Sequence, residues 1–270
     1  MKRTILAAVL VLQAAGLQAQ LGFEHLTEKL LVPVPINEID GAFGSRWKTT
    51  LVLTNMDSIP IELQGPQGTC NMLCPNPAPV PRLQPESTVN VEAMVSSQII
   101  PAAFLRTAPG DAARLGSTLR VQDLSRSNET WGTTIPLLRA DDLFAATFGM
   151  TGIATDPQFR AVLRLYDVDG STPPQVAVRI YRVNENASIT SVQPPDELLQ
   201  EFTPVFTVPN DEHSRFWFPA YAQIPLWTDP ALVGADRIRI EVEPLDARQE
   251  YWGFVSITHN ETQHVTVVLP

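Results

Sequence analysis

The sequence has few cysteines, few basic residues and no long apolar run, and each shortage excludes a class of protein. Only two of its 270 residues are cysteine, which excludes a disulfide-dense scaffold. Its 19 Lys and Arg are outnumbered by 29 Asp and Glu and form no cluster. We therefore expect no binding to nucleic acid. No apolar run reaches the roughly 20 residues that a spanning helix needs, so no membrane span is expected.

The first residues follow the pattern of a secretory signal peptide. Two positive charges directly after the initiating Met precede an apolar run over residues 4–12, and small residues follow. We predict a signal peptide over residues 1–19, with cleavage after Ala19 or, as the alternative, after Ala15. The mature chain is then secreted or periplasmic.

The composition and the spacing of apolar residues favour strands over helices. The chain contains 24 Pro, and only 18% of its residues are charged, against about a quarter in typical domains. Along residues 47–55, one face carries Trp47, Thr49, Leu51 and Leu53. This alternation predicts a half-buried strand.

Further strands are predicted along the first half of the chain. Residues 55–58 have turn chemistry, and residues 59–64 are interpreted as the returning strand of a hairpin. Alternating patterns also predict strands at 85–93, 118–122 and 131–137.

The same succession of patterns recurs in the second half. Three segments match in order: 47–55 with 159–167, 118–122 with 237–242, and 131–137 with 251–257. Three ordered matches predict two copies of one fold.

The predicted fold is all-β: two tandem immunoglobulin-like antiparallel β-sandwich domains joined by a short helical linker. The first domain covers residues 20–137 and the second covers residues 156–270. The linker is placed at residues 138–155, where two adjacent acidic residues suit the first turn of a helix. Another short helix is predicted at 194–201, where prolines precede an acidic turn.

The two cysteines lie four positions apart in a Pro-rich loop. In an oxidising compartment, Cys70 and Cys74 are predicted to form a disulfide that closes this small loop. A redox pair or a metal site lacks support, because the spacing is not Cys-x-x-Cys and no His or third Cys lies nearby.

No motif predicts a catalytic, metal or cofactor site. Residues 167–171 are similar to a calcium loop, but Gly170 falls fourth instead of sixth. Gly-x-Ser-x-Gly is absent. On a continuous strand, His259 and His264 face opposite sides and cannot chelate together. We therefore expect no enzyme activity, no metal and no cofactor.

Aromatic residues concentrate in residues 216–227. On a strand, Trp217 faces away from its two Phe neighbours. We predict that Trp217, Tyr221 and Trp227 form a flat binding platform for a sugar ring or a partner protein. The alternative is that Trp217 covers the domain junction and Trp227 caps the core, since large aromatic side chains are usually buried.

Two stretches carry a resemblance to a known family. The run from Val32 to Asn55, with its Val-Pro-Val-Pro and Trp-Lys-Thr-Thr-Leu-Val-Leu-Thr-Asn segments, and the ending from Ser256 to Pro270 resemble an uncharacterised family of exported proteins of acidobacteria and related soil bacteria. The resemblance covers most of the mature chain and departs at the His259-Asn260 turn and at the cysteine loop. It implies paired β-sandwiches with no established activity and no catalytic residues.

These observations favour a non-catalytic exported interaction or structural module. Its partner is an unknown extracellular protein or glycan. The alternative, a carbohydrate-binding or accessory protein in polysaccharide turnover, rests on residues 216–227. A periplasmic chaperone that uses a sheet edge is disfavoured, because the sequence shows no basic cleft for a client carboxylate.

Overall fold

The computed structural model describes most of the chain after residue 26. The described residues are 27–36, 38–41, 44–66, 82–91, 101–125, 132–168, 174–184, 195–232, 235 and 237–270. The predicted signal peptide, Cys70 and Cys74 lie outside them, so the disulfide stays a prediction. The chain is mostly β with several antiparallel sheets, which confirms the all-β class. Within the described part, no helix is long and apolar enough to cross a bilayer.

The first half of the chain forms two antiparallel sheets. Sheet I has the order β2-β3-β7-β8, with β5 also paired to β3. Sheet II has the order β1-β6-β4. The strands are β1 (Glu28–Val32), β2 (Glu38–Asp40), β3 (Arg46–Asn55), β4 (Leu63–Gln64), β5 (Thr88–Val91), β6 (Ala103–Thr107), β7 (Leu115–Asp123) and β8 (Thr133–Ile135).

The second half forms two more antiparallel sheets. Sheet III has the order β13-β10-β15-β16, and sheet IV has the order β12-β11-β14-β9. The strands are β9 (Phe148–Ala154), β10 (Phe159–Asp167), β11 (Val176–Arg182), β12 (Glu197–Phe202), β13 (Ala220–Pro225), β14 (Arg237–Pro244), β15 (Tyr251–His259) and β16 (Val265–Val268). A short α-helix covers Glu212–Trp217, and 3₁₀ turns cover Ala112–Arg114, Ala140–Asp142, Leu226–Thr228 and Pro230–Leu232.

Period-two alternation predicts the buried faces of the long strands correctly. On β3, Leu51 and Leu53 are completely buried, while the residues between them are partly exposed. On β10, Leu163 and Leu165 are completely buried in the same way. From Thr49 on β3, and as far as Leu165 on β10, one side chain in two is buried because the apolar residues alternate; Tyr166 and Asp167 at the end of β10 are buried as well.

Both halves pair their strands in the same order. In sheet I, β3 lies between β5 and β7, and in sheet III, β10 lies between β13 and β15. In sheet II, β6 lies between β1 and β4, and in sheet IV, β14 lies between β9 and β11. Sheet I therefore corresponds to sheet III, and sheet II corresponds to sheet IV.

This correspondence corrects two of the three sequence matches. The match of 47–55 with 159–167 agrees with it, since these segments form β3 and β10. The match of 118–122 with 237–242 is wrong, because β7 pairs with β3 whereas β14 lies in the other sheet from β10. The match of 131–137 with 251–257 is also wrong. Residues 251–257 lie in β15, which pairs with β10 as β7 pairs with β3, so β15 corresponds to β7 and β16 corresponds to β8.

The predicted hairpin after β3 is also wrong. The chain crosses from sheet I to sheet II, where β4 pairs with β6. Both edges of β3 are occupied by other strands, and the buried Asn55 holds the crossing. Its Nδ2 donates to the carbonyl oxygens of Ile59 at 2.8 Å and Gln84 at 3.1 Å.

Neither predicted helix forms. The linker region contains only a 3₁₀ turn, Ala140–Asp142, before β9 begins at Phe148. The predicted helix at 194–201 lies mostly in β12, which pairs with β11. In both places, pairing with an existing sheet edge outweighs a weak local helix preference.

Apolar side chains form two buried clusters. The second cluster fills the space between sheets III and IV. The first lies between sheets I and II and also includes Tyr166, Trp252 and Phe254 from the other face of sheet III. All five residues of β6 are buried, so sheet II is covered on both faces. The two halves are thus joined through a packed layer between sheets II and III, which we call the junction.

Candidate functional site

The aromatic segment 216–227 begins in a helix and not in the strand expected from its sequence. Asp211 caps the helix Glu212–Trp217, because its carboxylate accepts a hydrogen bond from the Ser214 backbone N–H at 2.8 Å. The helix contacts β6 of the first half. Because Trp217 lies in a helix, the period-two alternation of a strand, which would point its side chain outward, does not apply.

Two of the three predicted binding residues lie at the junction. The Trp217 side chain is buried, with 4% of the residue exposed, and its ring meets the Phe216 ring edge-on at 4.7 Å. Tyr221 on β13 lies opposite Tyr166 and packs against the first apolar cluster. Neither ring is presented to solvent as an open platform.

Trp227 is the exposed member of the set. It lies in the 3₁₀ turn Leu226–Thr228 with 54% of the residue exposed. The turn is anchored by the buried Leu226, and the Asp229 N–H donates to the Leu226 carbonyl oxygen at 3.2 Å. The Thr228 hydroxyl donates to the Pro225 carbonyl oxygen at 3.1 Å. A fixed backbone therefore presents a largely solvent-exposed indole.

Sequence reasoning did not identify Arg106, which lies on β6 at the junction. The residue is only 6% exposed. Its Nε donates to the Phe216 carbonyl oxygen at 2.9 Å, and the guanidinium carbon lies 3.5 Å from the centroid of the Phe216 ring. Burial lowers the pKa of Arg106 to about 10. The available sequence signal was one arginine within the otherwise uncharged strand Ala-Phe-Leu-Arg-Thr.

Arg106 is the centre of a polar row across sheet II. Lys29 on β1 and Gln64 on β4 lie directly opposite it on the two neighbouring strands. The Lys29 Nζ donates to the Val168 carbonyl oxygen at 3.0 Å. Gln64 is 5% exposed, and its Oε1 is enclosed without a hydrogen-bond partner. We call Lys29, Arg106 and Gln64 the junction row.

Sheet III contributes buried polar groups to the same layer. The Tyr166 hydroxyl donates to the Pro33 carbonyl oxygen at 2.6 Å, and burial raises the pKa of Tyr166. The Arg164 guanidinium donates to the Ser256 hydroxyl and lies 5.4 Å from the centroid of the Phe254 ring. Burial lowers the pKa of Arg164. The junction therefore places cations against aromatic rings.

On the outer face of sheet IV, in contrast to the junction, arginine side chains are paired with carboxylates. Arg179 lies between Glu201 at 2.9 Å and Glu243 at 2.7 Å. Arg239 pairs with Asp196 at 2.9 Å and also with Glu241. Each of these guanidinium groups meets two carboxylates: those of Arg179 are on the two neighbouring strands, whereas Arg239 meets Glu241 of its own strand and Asp196 just before β12. All of these side chains are partly exposed to solvent.

A cleft of about 390 Å³ opens beside β1. Its charged lining consists of Glu28, Lys29, Arg248 and Glu250, so acids and bases alternate within a short distance. This mixture selects for neither sign of ligand charge. The cleft is therefore a weaker candidate than the junction row.

Neither a metal site among the described residues nor a match to a known protein adds a further candidate site. Among the described residues, no group of three or more His, Cys, Asp or Glu side chains could hold a metal ion. No family model, curated protein or solved structure matches the chain.

Proposed function

We propose that the protein is a non-catalytic exported interaction module made of two tandem immunoglobulin-like β-sandwich domains. The proposal is supported by the repeated strand order of sheets I and II in sheets III and IV. The packed junction supports it further, because a shared buried layer holds the two sandwiches in a fixed orientation. A fixed scaffold lowers the entropic cost of binding through its loops.

The observation that carries the proposal is the anchored, exposed indole of Trp227. Tryptophan is enriched among the residues that dominate binding energy, because it buries a large apolar area and keeps one N–H donor. The turn that carries Trp227 is already ordered by its own hydrogen bonds. A partner that covers this ring therefore gains contact area without having to order the loop.

The test compares two tryptophans ten positions apart in the chain. Extracellular protein from the source culture is passed over the immobilised mature protein, and bound species are quantified. We expect Trp227→Ala to reduce retention at least about tenfold, the size of a binding hot spot, and to leave the melting temperature nearly unchanged. Trp217→Ala is the control that lowers stability. Full retention by Trp227→Ala contradicts the proposal.

The second candidate function is carbohydrate binding in polysaccharide turnover. The same exposed ring favours it, since sugar rings stack on flat aromatic faces. A glycan array probed with the mature protein separates the two candidates. Specific retention on one glycan class, lost in Trp227→Ala, makes the ligand a sugar and not a protein.

A further inference from the structure

The turn that joins β15 to β16 is held by a histidine side chain that acts as a hydrogen-bond acceptor. The Nδ1 atom of His259 accepts the backbone N–H groups of Glu261 at 3.2 Å and Thr262 at 3.1 Å. An imidazole nitrogen accepts a hydrogen bond only when it carries no proton. The closed turn therefore requires a neutral His259 whose single ring proton is on Nε2.

A neighbouring ring holds the imidazole of His259 in this orientation. The His259 side chain is partly buried and meets the Phe159 ring edge-on, with 5.2 Å between the ring centroids. The two residues lie directly opposite each other on β10 and β15. A proton added to Nδ1 in this orientation points at two N–H donors, so the imidazolium and the closed turn are incompatible.

The closed turn also contains a costly backbone conformation at Gln263. Its φ of 51° lies in the left-handed region, which residues other than glycine rarely adopt. The Gln263 N–H donates to the His259 carbonyl oxygen at 2.8 Å, and the His259 N–H donates to the His264 carbonyl oxygen at 2.9 Å. The Gln263 side chain donates to the Asn260 carbonyl oxygen. Such a conformation persists only while the surrounding contacts hold it.

Opening of the turn affects β16, because the turn connects this strand to the rest of sheet III. β16 is the end strand in the order of sheet III and pairs with β15. It also contacts β8 of the first half. Beside this contact, the Thr133 hydroxyl donates to the Val265 carbonyl oxygen at 2.6 Å. The turn therefore supports a strand that links the second half of the chain to the first.

The elements around His259 carry four other titratable or charged groups. Glu261 and His264 belong to the turn, Arg160 lies on β10, and Asp156 lies just before β10. The Arg160 guanidinium donates to the Oε1 atom of Gln263 at 2.8 Å. Among these side-chain types, only histidine has an ordinary pKa, about 6.5, between pH 5 and pH 8. The effects of His259 and His264 must therefore be separated by experiment.

We propose that protonation of His259 opens the β15–β16 turn and loosens β16, so that the contact between β16 and the first half is sensitive to acid. The closed turn accepts only the neutral imidazole. It is therefore closed above the pH range in which histidine titrates, and it opens as the pH falls through that range. Trp227 lies in a different turn, so this inference does not rest on the proposed function.

The first experiment uses nuclear magnetic resonance of the isotope-labelled mature protein. Two-bond proton–nitrogen correlations should show the Nε2–H tautomer of His259 at about pH 7.5, above the titration range of histidine. Amide exchange, corrected for its intrinsic pH dependence, should show about tenfold less protection of Glu261 and Thr262 at about pH 5, which corresponds to one net hydrogen bond. An Nδ1–H tautomer at the higher pH, or equal protection at both, overturns the proposal.

Two variants identify the histidine responsible. His259→Asn keeps a side-chain acceptor for nearby backbone N–H groups but does not titrate. Its turn should stay closed at both pH values. His264→Gln removes the other histidine of the turn and should leave the pH dependence of the wild type unchanged. Loss of the pH dependence in His264→Gln, with its retention in His259→Asn, contradicts the assignment to His259.

The backbone amides of β16 distinguish release of the strand from a change confined to the turn. Their protection should fall with the same pH midpoint as the chemical shifts of the His259 ring protons. In His259→Asn, their protection should be the same at both pH values. If the turn amides lose protection while the β16 amides keep theirs, the strand does not follow His259 and the acid-sensitive contact is contradicted.

Discussion

Sheets II and IV have equivalent strand orders but opposite surroundings. Sheet II is covered on both faces, and every residue of β6 is buried. Its counterpart β14 alternates between buried and exposed residues, because only one face of sheet IV is packed. The same strand order therefore forms whether one face or both faces of the sheet are buried. Whether a second sheet packs on the outer face determines whether alternate residues or all residues of a strand are buried.

The arginines of these two strands show the difference most clearly. On β14, burial removes hydration from Arg239, but the hydrogen bonds that its guanidinium donates to Asp196 and Glu241 more than compensate, and its pKa is raised. On β6, Arg106 has no such partner, and burial lowers its pKa. Desolvation without a counter-ion is costly in a folded protein. Equivalent strands thus place one arginine among carboxylates and the other against an aromatic ring.

The largest effect should come from removing an aromatic side chain at the junction. Phe104 lies on β6 and is almost completely buried. Phe104→Ala should lower the free energy of unfolding by about 3–5 kcal/mol through lost burial and a residual cavity. Urea unfolding followed by circular dichroism measures it. A loss below about 1 kcal/mol would show that the junction contributes little.

A smaller effect is expected from the hydrogen bond that crosses the junction. Tyr166→Phe removes the donor to the Pro33 carbonyl oxygen and leaves a buried acceptor unpaired. We expect a loss of about 1–3 kcal/mol. Differential scanning calorimetry should show both halves melting together in the wild type. An unchanged melting temperature in Tyr166→Phe would mean that this contact does not couple them.

The third prediction concerns alkaline pH and separates the two halves. Tyr251 lies at the start of β15, opposite Asp167 of β10 in the strand register. The equivalent residue of β7 is Leu115, which lies opposite Asn55 and has no titratable side chain. Burial raises the pKa of Tyr251 to about 12. Its contribution to stability is complete below about pH 10, the pKa of an unfolded tyrosine, and is lost as pH rises toward 12.

Tyr251→Phe should therefore remove part of this alkaline sensitivity. Between pH 9 and pH 11, the wild type should lose about 1.4 kcal/mol more stability than the variant. Urea midpoints at the two pH values measure the difference. Other titrating groups act on both proteins alike, so parallel pH profiles would contradict the assignment to Tyr251.

The smallest effect is expected on the outer face of sheet IV. Arg179→Gln removes two ion pairs to partly exposed carboxylates, Glu201 and Glu243. Solvent-exposed pairs contribute about 0–1 kcal/mol, and salt screens them. The change in the urea midpoint should be small at low salt and should vanish at high salt. A loss comparable with that of Phe104→Ala would remove the contrast between the two sheets.

The sequence predicted the long strands and their buried faces, but not which strands pair, and it missed β12 and the helix Glu212–Trp217. The alternation around Leu51 and Leu163 identifies a buried face and carries no information about the neighbouring strand. The crossing after β3 depends on Asn55, whose partner Gln84 lies 29 positions away. The predicted pairing of β3 with the next strand therefore failed while the strand itself was correct.

The candidate sites divide in the same way. Composition identified the aromatic segment, but only the fold separates the exposed Trp227 from the buried Trp217. The environment of Arg106 comes from Phe216, which lies 110 positions away. No pattern in the sequence near Arg106 reports that contact, so its role could not be predicted before the two halves were seen together.

The junction joins unlike surfaces, since sheet II packs on sheet III and sheet III is the counterpart of sheet I. A head-to-tail contact of this kind can repeat without closing, so stacking of a second chain's sheet I on sheet IV would extend into a fibre. In sheet IV, Arg179 and Arg239 bind carboxylates on the exposed face, and covering them would require removing water from several charges. The charged face of sheet IV therefore opposes such stacking, as the polar outer faces of terminal repeats do in repeat proteins. Ion pairs that add little to folding thus raise the cost of covering this face.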